Sequence, residues 1–258
     1  MSTFPNPQVI LITGATGAIG GALALEYAAR GVTLVLQGRD AEKLAAIADA
    51  CHARGAKVLS TALDLTDRPR YRHWLMEVAE NSLPDLVVLA AGINQHPRGR
   101  GALEPWPSVE HLLEVNLAAS LMAIDLLVPA MRRRGGGQIA LLSSLAAWHG
   151  IPLAPAYSAS KAALKAYGEA LRTGLRPAGI RVNVVMPGYV SSHMCDEMPG
   201  PKPFLWPAAR AARRIRAGLA ADRARIAFPF LLATGCRMLA LLPASISGFL
   251  LRRLGYAG

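Results

Sequence analysis

The sequence predicts an α/β fold in a single domain, a doubly wound parallel sheet of about seven strands with helices on both faces. Short apolar or β-branched runs alternate along the chain with longer alanine-rich segments of helical pattern. This alternation is typical of parallel strands joined by right-handed helical crossovers. The predicted strands are residues 9–13, 33–36, 57–63, 85–90, 138–143, 181–185 and 225–228. The predicted helices are residues 18–30, 40–54, 67–81, 108–133, 155–176 and 207–220.

Length and composition fit one globular domain without a metal site or a disulfide framework. The chain has 258 residues, of which 52% are hydrophobic and 17% charged, so a large core is expected and long disordered tails are not. The three cysteines form no CxxC pair, and the six histidines lack metal-ligand spacing. Since the amino terminus has neither a basic start nor an apolar run of signal-peptide length, we expect a cytoplasmic protein.

Most of the positive charge lies near the carboxyl terminus. The net charge is +11, and the segment from Trp206 onwards contributes +8 of it through nine arginines and one acid, Asp222. A basic segment of this kind suits nucleic acid or a membrane surface. Nucleic acid is not predicted as a partner, because no binding motif or set of interleaved aromatic side chains accompanies the arginines.

A glycine-rich turn follows the first predicted strand and opens the first predicted helix. Gly14 permits a tight turn, Gly17 lets the backbone approach a pyrophosphate, and Gly20 allows close packing of the helix on the strand. The amino terminus of the helix then faces the anion. The position of this turn, at the start of a doubly wound pattern, predicts a Rossmann-type dinucleotide site.

Tyr157 and Lys161 form a second motif, one helical turn apart on the same face of a predicted helix. A free tyrosine has a pKa of about 10 and is a poor acid–base catalyst near neutrality. A neighbouring ammonium group stabilises the phenolate and lowers that pKa. The pair therefore predicts a tyrosine that exchanges a proton with a substrate.

Together these motifs resemble the short-chain dehydrogenase/reductase family, over roughly residues 8–229. The resemblance rests on the turn TGATGAIG at 13–20, compared with the TGxxxGIG spacing of the family, and on YxxxK at 157–161. Ser144, thirteen residues before Tyr157, matches the family's catalytic serine, with Ser143 as its structural neighbour. Asn116 lies where the family has an asparagine that anchors a water between the lysine and bulk solvent. The resemblance thus implies four catalytic residues, namely Asn116, Ser144, Tyr157 and Lys161.

The resemblance also implies the residues that contact the cofactor. The acid after the third strand, Asp64, would meet the adenine, and the turn after the sixth strand would lie below the nicotinamide. The expected contacts are Gly14, Thr16, Gly17, Ile19, Gly20, Arg39, Asp64, Leu65, Ala91, Gly92, Tyr157, Lys161, Pro187, Gly188, Val190 and Ser192.

The residues after the second strand favour NADP(H), with NAD(H) as the alternative. An NAD enzyme needs a carboxylate there for the ribose 2′-hydroxyl, whereas an NADP enzyme needs a cation for the 2′-phosphate. Gly38 occupies the usual place of the acid, and Arg39, which can pair bidentately with a phosphate, follows it. Asp40 comes too late for the carboxylate role and is predicted to cap the next helix.

The predicted substrate is a hydrophobic ketone, aldehyde or 3-oxoacyl compound. Three segments, 93–106, 145–155 and 189–206, should wall its pocket, and their side chains are mostly apolar or aromatic. The residues singled out as its lining are Trp148, Leu153, Tyr189 and Met194. One departure from the family is Ala90, where asparagine is usual; we expect it to reduce rigidity without loss of chemistry.

The sequence divides into a catalytic NADP(H)-binding domain, residues 1–229, and a basic, apolar extension, residues 230–258. Arg237 and Pro243 interrupt the extension, so it should not span a membrane. Three interpretations stay open: shallow binding to an anionic membrane surface, which would place the protein at the inner face of the membrane, a cover over the active site, or an interface between subunits.

The function predicted is carbonyl–alcohol interconversion by hydride transfer, in a homodimer or homotetramer assembled through the helices at 108–133 and 155–176. The alternative is a catalytically silent protein that senses nucleotide or acts as a scaffold on the same fold. The full set of four catalytic residues favours the enzyme.

Overall fold

The predicted doubly wound sheet is confirmed by a computed structural model, which describes residues 7–95 and 103–256. All seven strands are parallel, and their order in the sheet is β3-β2-β1-β4-β5-β6-β7. The strands are β1 Val9–Thr13, β2 Thr33–Gly38, β3 Lys57–Ala62, β4 Leu86–Leu89, β5 Gly137–Leu142, β6 Ile180–Pro187 and β7 Arg225–Phe228.

The helices before residue 190 join the strands as crossovers, and four more follow β6. They are α1 Ala18–Tyr27, α2 Ala41–His52, α3 Arg68–Asn81, α4 Trp106–Leu113, α5 Ala119–Arg134, α6 Pro155–Leu175, α7 His193–Glu197, α8 Ala208–Ala220, α9 Phe230–Leu239 and α10 Ala244–Arg253. A π-helical turn, Glu114–Ala118, joins α4 to α5. The predicted helix at 108–133 is therefore two α-helices with a wider turn between them.

The core has two layers because side chains alternate between the faces of the sheet. On β1, Ile10 and Ile12 face the layer that contains α1 and α8, whereas Leu11 faces the layer of α3 and α5. Strands buried on both faces are expected to be continuously apolar, as β1 and β4 are.

Two aspartates cap helices, and one of these caps was predicted. Asp40 accepts a hydrogen bond from the backbone N–H of Lys43 at 3.0 Å and caps α2, as the sequence predicts. Asp67 caps α3 in the same way through the N–H of Arg70. Each side-chain oxygen satisfies a backbone donor that the helix leaves without an internal partner.

One helical run in the described part of the chain, 106–134, is long and apolar enough to cross a membrane, but half of its apolar window is buried inside the fold. Its buried residues include Ala123, Leu127 and Met131, which belong to the core layer beside β4 and β5. The apolar character of this run is accounted for by packing on the sheet.

The order of strands places a topological switch point between β1 and β4. The chain leaves β1 for β2 on one side and, after β3, returns to β4 on the other side. Crossovers diverge at such a point and leave a crevice at the carboxyl ends of the strands, where α/β proteins bind ligands. The glycine turn after β1 and the loop after β4 border this crevice.

Candidate active site

The glycine turn is held so tightly against the end of β4 that side chains do not fit. Gly14 has a left-handed φ of +66°, and a β carbon there would lie 2.6 Å from the Cα atom of Ala91. A β carbon on Gly20 would overlap the carbonyl oxygen of Gly14. Gln37, a residue that sequence reasoning missed, accepts a hydrogen bond from the Gly14 N–H at 3.1 Å and donates to the Leu63 carbonyl at 2.6 Å. The turn is therefore fixed to β2 and β3 as well as to β4.

A cavity of about 240 Å³ opens beside this turn at the switch point. It brings together many of the residues predicted to contact a cofactor, along with Gln37, Gly38, Ala90, Ile93 and Val115. The predicted residues that line it are Gly14, Thr16, Gly17, Arg39, Asp64, Leu65, Ala91 and Gly92. Ile19 and Gly20 lie just behind it in α1.

At the end of β2 a side chain at position 38 would crowd the glycine turn. A β carbon on Gly38 would lie 2.5 Å from Cγ2 of Thr16 in the glycine turn. Arg39 is the next residue and lines the cavity. Because Asp40 is engaged in capping α2, the charged side chain presented to the cavity from this strand end is that of Arg39.

Asp64 also faces the cavity, from the end of β3. Its carboxylate accepts two hydrogen bonds from Thr66, at 2.9 Å from the backbone N–H and 2.8 Å from the hydroxyl. Burial raises the pKa of Asp64, but these hydrogen bonds and the charges of Arg39 and His111 outweigh it, so that the pKa lies below its ordinary value. Asp64 is therefore held as an acceptor at the edge of the cavity.

Ser144, Tyr157 and Lys161 converge where β5 ends and α6 begins. The Ser144 side chain lies within hydrogen-bonding reach of the Tyr157 phenol and acts to lower its pKa. The ammonium nitrogen of Lys161 lies 5.5 Å from the centre of the Tyr157 ring and donates to the Leu142 carbonyl at 2.9 Å. Ser143 turns the other way and donates to the Lys161 carbonyl at 2.7 Å, so Ser144 is the serine that reaches the phenol.

Asn116 joins this cluster to the loop after β4. It is fully buried in the π-helical turn between α4 and α5. Its amide oxygen accepts from the Ile93 N–H at 2.7 Å, and its amide nitrogen donates to the Ile93 carbonyl at 2.9 Å and to the Ser160 hydroxyl at 3.1 Å. Isolated π-helical turns often occur at functional sites. Here the wider turn carries the asparagine that fixes the loop to α6.

Burial sets the protonation of the tyrosine and the lysine. It lowers the pKa of Lys161 to about 8, because an ammonium group without water is costly. Burial also raises the pKa of Tyr157. Ser144 acts to lower this pKa and Cys195 acts to raise it further, and the net shift is upward. The expectation that Lys161 lowers the pKa of Tyr157 is not met in this structure.

The turn after β6 closes the site from the opposite side. The Gly188 N–H donates to the Phe228 carbonyl of β7 at 2.7 Å, which sets the direction of the chain after Pro187. Val190 pairs with Trp206 across this segment. Ser192 caps α7 by accepting from the Cys195 N–H at 3.1 Å, and its hydroxyl donates to the Val190 carbonyl.

The family model for short chain dehydrogenase matches residues 8–201, which contain the whole cluster. The chain belongs to the short-chain dehydrogenase family. The resemblance carried by the two motifs is thereby confirmed, and with it an oxidoreductase family that uses a nicotinamide cofactor.

Two curated relatives illustrate the relationship. An oxidoreductase of Myxococcus xanthus, described as uncharacterized, is 34% identical over 249 residues, which are 96% of this chain and 97% of that protein. The ketoacyl reductase HetN of Nostoc sp. is 31% identical over 185 residues, covering 71% of this chain and 64% of its own length.

Solved structures share the fold of this short-chain dehydrogenase. A 3-ketoacyl-ACP reductase of Sinorhizobium meliloti has a TM-score of 0.76 at 28% identity, covering 88% of this chain and 99% of that one. A short-chain dehydrogenase of Sphingobium yanoikuyae in complex with NADPH has a TM-score of 0.81 at 23% identity, with 94% of each chain covered.

Trp148, one of the side chains predicted to line the substrate pocket, lies on the outer side of α6. The Trp148 ring lies between two cations, 4.7 Å from Lys165 Nζ and 5.2 Å from the Arg225 guanidinium, along the outer side of α6. There it lines a separate cavity of about 500 Å³ with residues that include Ala159 and Ala162. Part of the 93–106 wall, residues 96–102, lies outside the described residues.

The other three pocket candidates lie nearer the segment after β6. Tyr189 lies beside Tyr256, close to the end of the chain, and burial and this neighbour raise its pKa. Leu153 approaches Gly200, and Met194 is partly exposed on α7. Cys195, on the same helix, is buried and electrostatically coupled to Tyr157; its sequence context gave no signal for this position.

The carboxyl-terminal helices cover these segments with their inner faces. Leu232 of α9 fills the space that a side chain on Gly188 would take, and Ser247 of α10 is 3.0 Å from Nε2 of His149. The Tyr256 hydroxyl donates to the Pro201 carbonyl at 3.1 Å. These contacts support the interpretation of the carboxyl-terminal extension as a cover over the segments around the candidate site.

Lys161→Met is expected to stabilise the protein without ligand at pH 7, by on the order of 1–3 kcal/mol, because it removes a buried ammonium group. Between a folded pKa of about 8 and the ordinary 10.5, the unfolded chain binds more protons than the folded one. Wild-type stability therefore rises through that window, and the advantage of the variant shrinks. Urea unfolding at several pH values measures both curves.

Lys165→Met, one turn further along α6, is the control for the loss of a lysine side chain. An advantage of Lys161→Met that stayed constant from neutral pH to above the ordinary lysine pKa would contradict burial of the charge as its cause.

Proposed function

We propose that this short-chain dehydrogenase is an NADP(H)-dependent enzyme that interconverts a carbonyl and an alcohol, acting on the CH–OH group of a hydrophobic substrate. The observation that supports this proposal most is that Ser144 and Tyr157 lie together beside the buried Lys161, next to a glycine-bordered cavity. A proton donor and a dinucleotide crevice are then adjacent, as reduction of a carbonyl requires.

The residues around the cavity fit a dinucleotide. Gly14 and Gly20 stand where any β carbon would collide with backbone, so an anion can approach the amino terminus of α1, where the cap residue Gly17 supplies no side-chain acceptor. Gly14, Thr16, Gly17 and Ile19 would hold the pyrophosphate end, and Asp64 and Leu65 the adenine. Gly92, Pro187, Gly188, Val190 and Ser192 would hold the nicotinamide end, with Tyr157 and Lys161. When bound, the cofactor supplies the hydride in reduction and accepts it in oxidation.

Each catalytic side chain has a separate task in reduction. Ser144 donates a hydrogen bond to the carbonyl oxygen of the substrate and holds it beside the phenol. Tyr157 transfers its proton to that oxygen as the alcohol forms. Lys161 would hold the nicotinamide end of the cofactor beside the phenol, and Asn116 holds the loop after β4 against α6.

The neutral tyrosine that burial favours suits the direction of reduction. With a raised pKa, Tyr157 carries its proton at neutral pH and is ready to donate it. The similarity to a ketoacyl reductase and a 3-ketoacyl-ACP reductase supports 3-oxoacyl compounds among the hydrophobic substrates to be tested. Residues 1–229 would form the catalytic domain, and residues 230–258 the extension that covers it.

Tyr157→Phe is expected to lower kcat by at least ~10²-fold, because the ring stays and only the proton donor is lost. Binding of NADPH should persist. The measurement is NADPH oxidation with a panel of aldehydes, ketones and 3-oxoacyl thioesters. Tyr71→Phe is the matched control, since its buried hydroxyl has no hydrogen-bond partner among the described residues. Retention of most activity by Tyr157→Phe would exclude this tyrosine as the acid.

Arg39→Ala is expected to raise the KM for NADPH roughly ten- to a hundredfold, because a charge-assisted hydrogen-bonded pair with the 2′-phosphate is lost. The KM for NADH should change little. Steady-state kinetics with both cofactors measures the difference, and Arg30→Ala, exposed at the far end of α1, is the control. Equal effects on both cofactors would remove Arg39 from the phosphate site.

We also infer a homodimer or homotetramer built on the outer side of α6. Small exposed side chains at helical spacing, Ala159, Ala162, Ala166 and Ala170, leave that side open to close approach by a second helix. Ala166→Arg should therefore lower the mass measured by light scattering, whereas Ala50→Arg on exposed α2 should not. A wild-type protein that is monomeric at micromolar concentration would contradict the assembly.

A further inference from the structure

α9, α10 and the residues just after each helix expose several large apolar side chains. Phe230 is 79% exposed and Leu241 is 73% exposed. Met238, Phe249 and Leu254 are each at least half exposed. These five side chains define what we call the tail face. Single exposed apolar residues are ordinary, but several in one short segment mark a surface that binds another molecule.

The orientation of the tail face is fixed by contacts on the opposite side of the same helices. Ser247 and Leu251, one turn apart on α10, are buried, and Tyr256 beyond the helix is buried as well. Leu232 of α9 lies against Gly188. Because these inner residues dock the helices on the catalytic domain, the side chains of the tail face are left outside the fold.

The charge of this segment is complementary to an anionic surface. After Asp222 the sequence contains five arginines and no acidic residue, and Arg237, Arg252 and Arg253 lie on the two helices themselves. Arginines beside exposed leucine and phenylalanine form the pattern of a helix that lies in the headgroup region of a membrane.

The length of the helices fits lying on a bilayer and excludes spanning it. Each helix has 10 residues, or about 15 Å at 1.5 Å per residue. The hydrocarbon core of a bilayer is about 30 Å thick. Side chains on one face of such short helices reach only the boundary between headgroups and acyl chains.

A second copy of the chain is a poorer match for the tail face. A two-fold contact would set the same surface against itself. The arginines of one copy would then approach those of the other, with no acidic residue in either segment to pair with them. An anionic bilayer satisfies both the apolar side chains and the cations.

We propose that the tail face is a docking surface for an anionic lipid bilayer, on which the protein lies without spanning it. The inner side of the same helices contacts Gly188, His149 and Pro201 around the candidate site. Docking would therefore hold the covered side of the enzyme against the membrane. The proposal does not depend on the activity proposed above.

The test is co-sedimentation of the full-length protein with vesicles of phosphatidylcholine mixed with phosphatidylglycerol, and with vesicles of phosphatidylcholine alone. Binding to the mixed vesicles is expected to be stronger and to weaken as salt is added. Leu241→Glu combined with Phe249→Glu should weaken partitioning by at least roughly tenfold, because apolar contacts are replaced by repelled charges. Met76→Glu, an exposed apolar residue of α3, is the matched control.

A second variant tests the cations independently of the apolar side chains. Arg252→Gln combined with Arg253→Gln should weaken binding to the mixed vesicles by roughly 30-fold, about fivefold for each charge. Arg72→Gln on α3 should leave it unchanged. Circular dichroism and thermal unfolding confirm that each variant is folded.

Several outcomes would overturn the proposal. One is absence of binding by the wild type, and another is equal binding by wild type and both double variants. A third is equal binding of the wild type to vesicles with and without phosphatidylglycerol. Loss of oligomer mass in Leu241→Glu with Phe249→Glu, measured by light scattering without lipid and accompanied by no vesicle binding of the wild type, would assign the tail face to a second copy instead.

Discussion

The close approach of the first turn to the end of β4 is the contact on which the site depends. Gly14 meets the backbone of Ala91, and Gly20 meets the carbonyl of Gly14, so neither position has space for a side chain. A β carbon at either place would push the turn away from the strand ends that carry the cavity. The hydrogen bonds of Gln37 and Asn116 then join this contact to β3 and α6. The shape of the crevice therefore depends on glycines that have no side chain. Hydrogen bonds hold the surrounding strands and α6 in place.

Burial of a charged lysine in the candidate site lowers the stability of the fold. Lys161 is buried with one backbone acceptor and no carboxylate partner among its described contacts, and its pKa falls to about 8. The same burial keeps the proton on Tyr157. An isolated buried charge is normally avoided in a core, and its retention beside a hydroxyl pair in a crevice is typical of functional sites. The buried lysine that lowers the stability of the fold is thus one of the residues on which the proposed reaction depends.

Local patterns predicted the sheet, its parallel strands and the motif-bearing turns, because each depends on a few neighbouring residues. The bounds of β1 and β7 agree with the prediction, whereas β2 runs on to Gly38, because its pairing with β3 continues to Ala62. The π-helical turn was not predictable, since the apolar pattern runs through it without interruption.

Contacts between distant segments were also beyond the sequence. The position of Trp148 beside Lys165 and Arg225 depends on the rotamer of Trp148 and on the place of β7. The contact of Tyr189 with Tyr256 joins residues far apart in the chain.

The carboxyl-terminal segment shows most clearly what the sequence leaves undecided. Its sequence left three interpretations open, and the structure assigns contacts to only one face of each helix. On α10, Ser247 and Leu251 account for docking on the catalytic domain, whereas Phe249, on the other side, contributes nothing to the buried core. Because exposure of such side chains to water is unfavourable, folding of this chain alone does not explain them. The same two helices can therefore serve as a cover through one face and as a binding surface through the other.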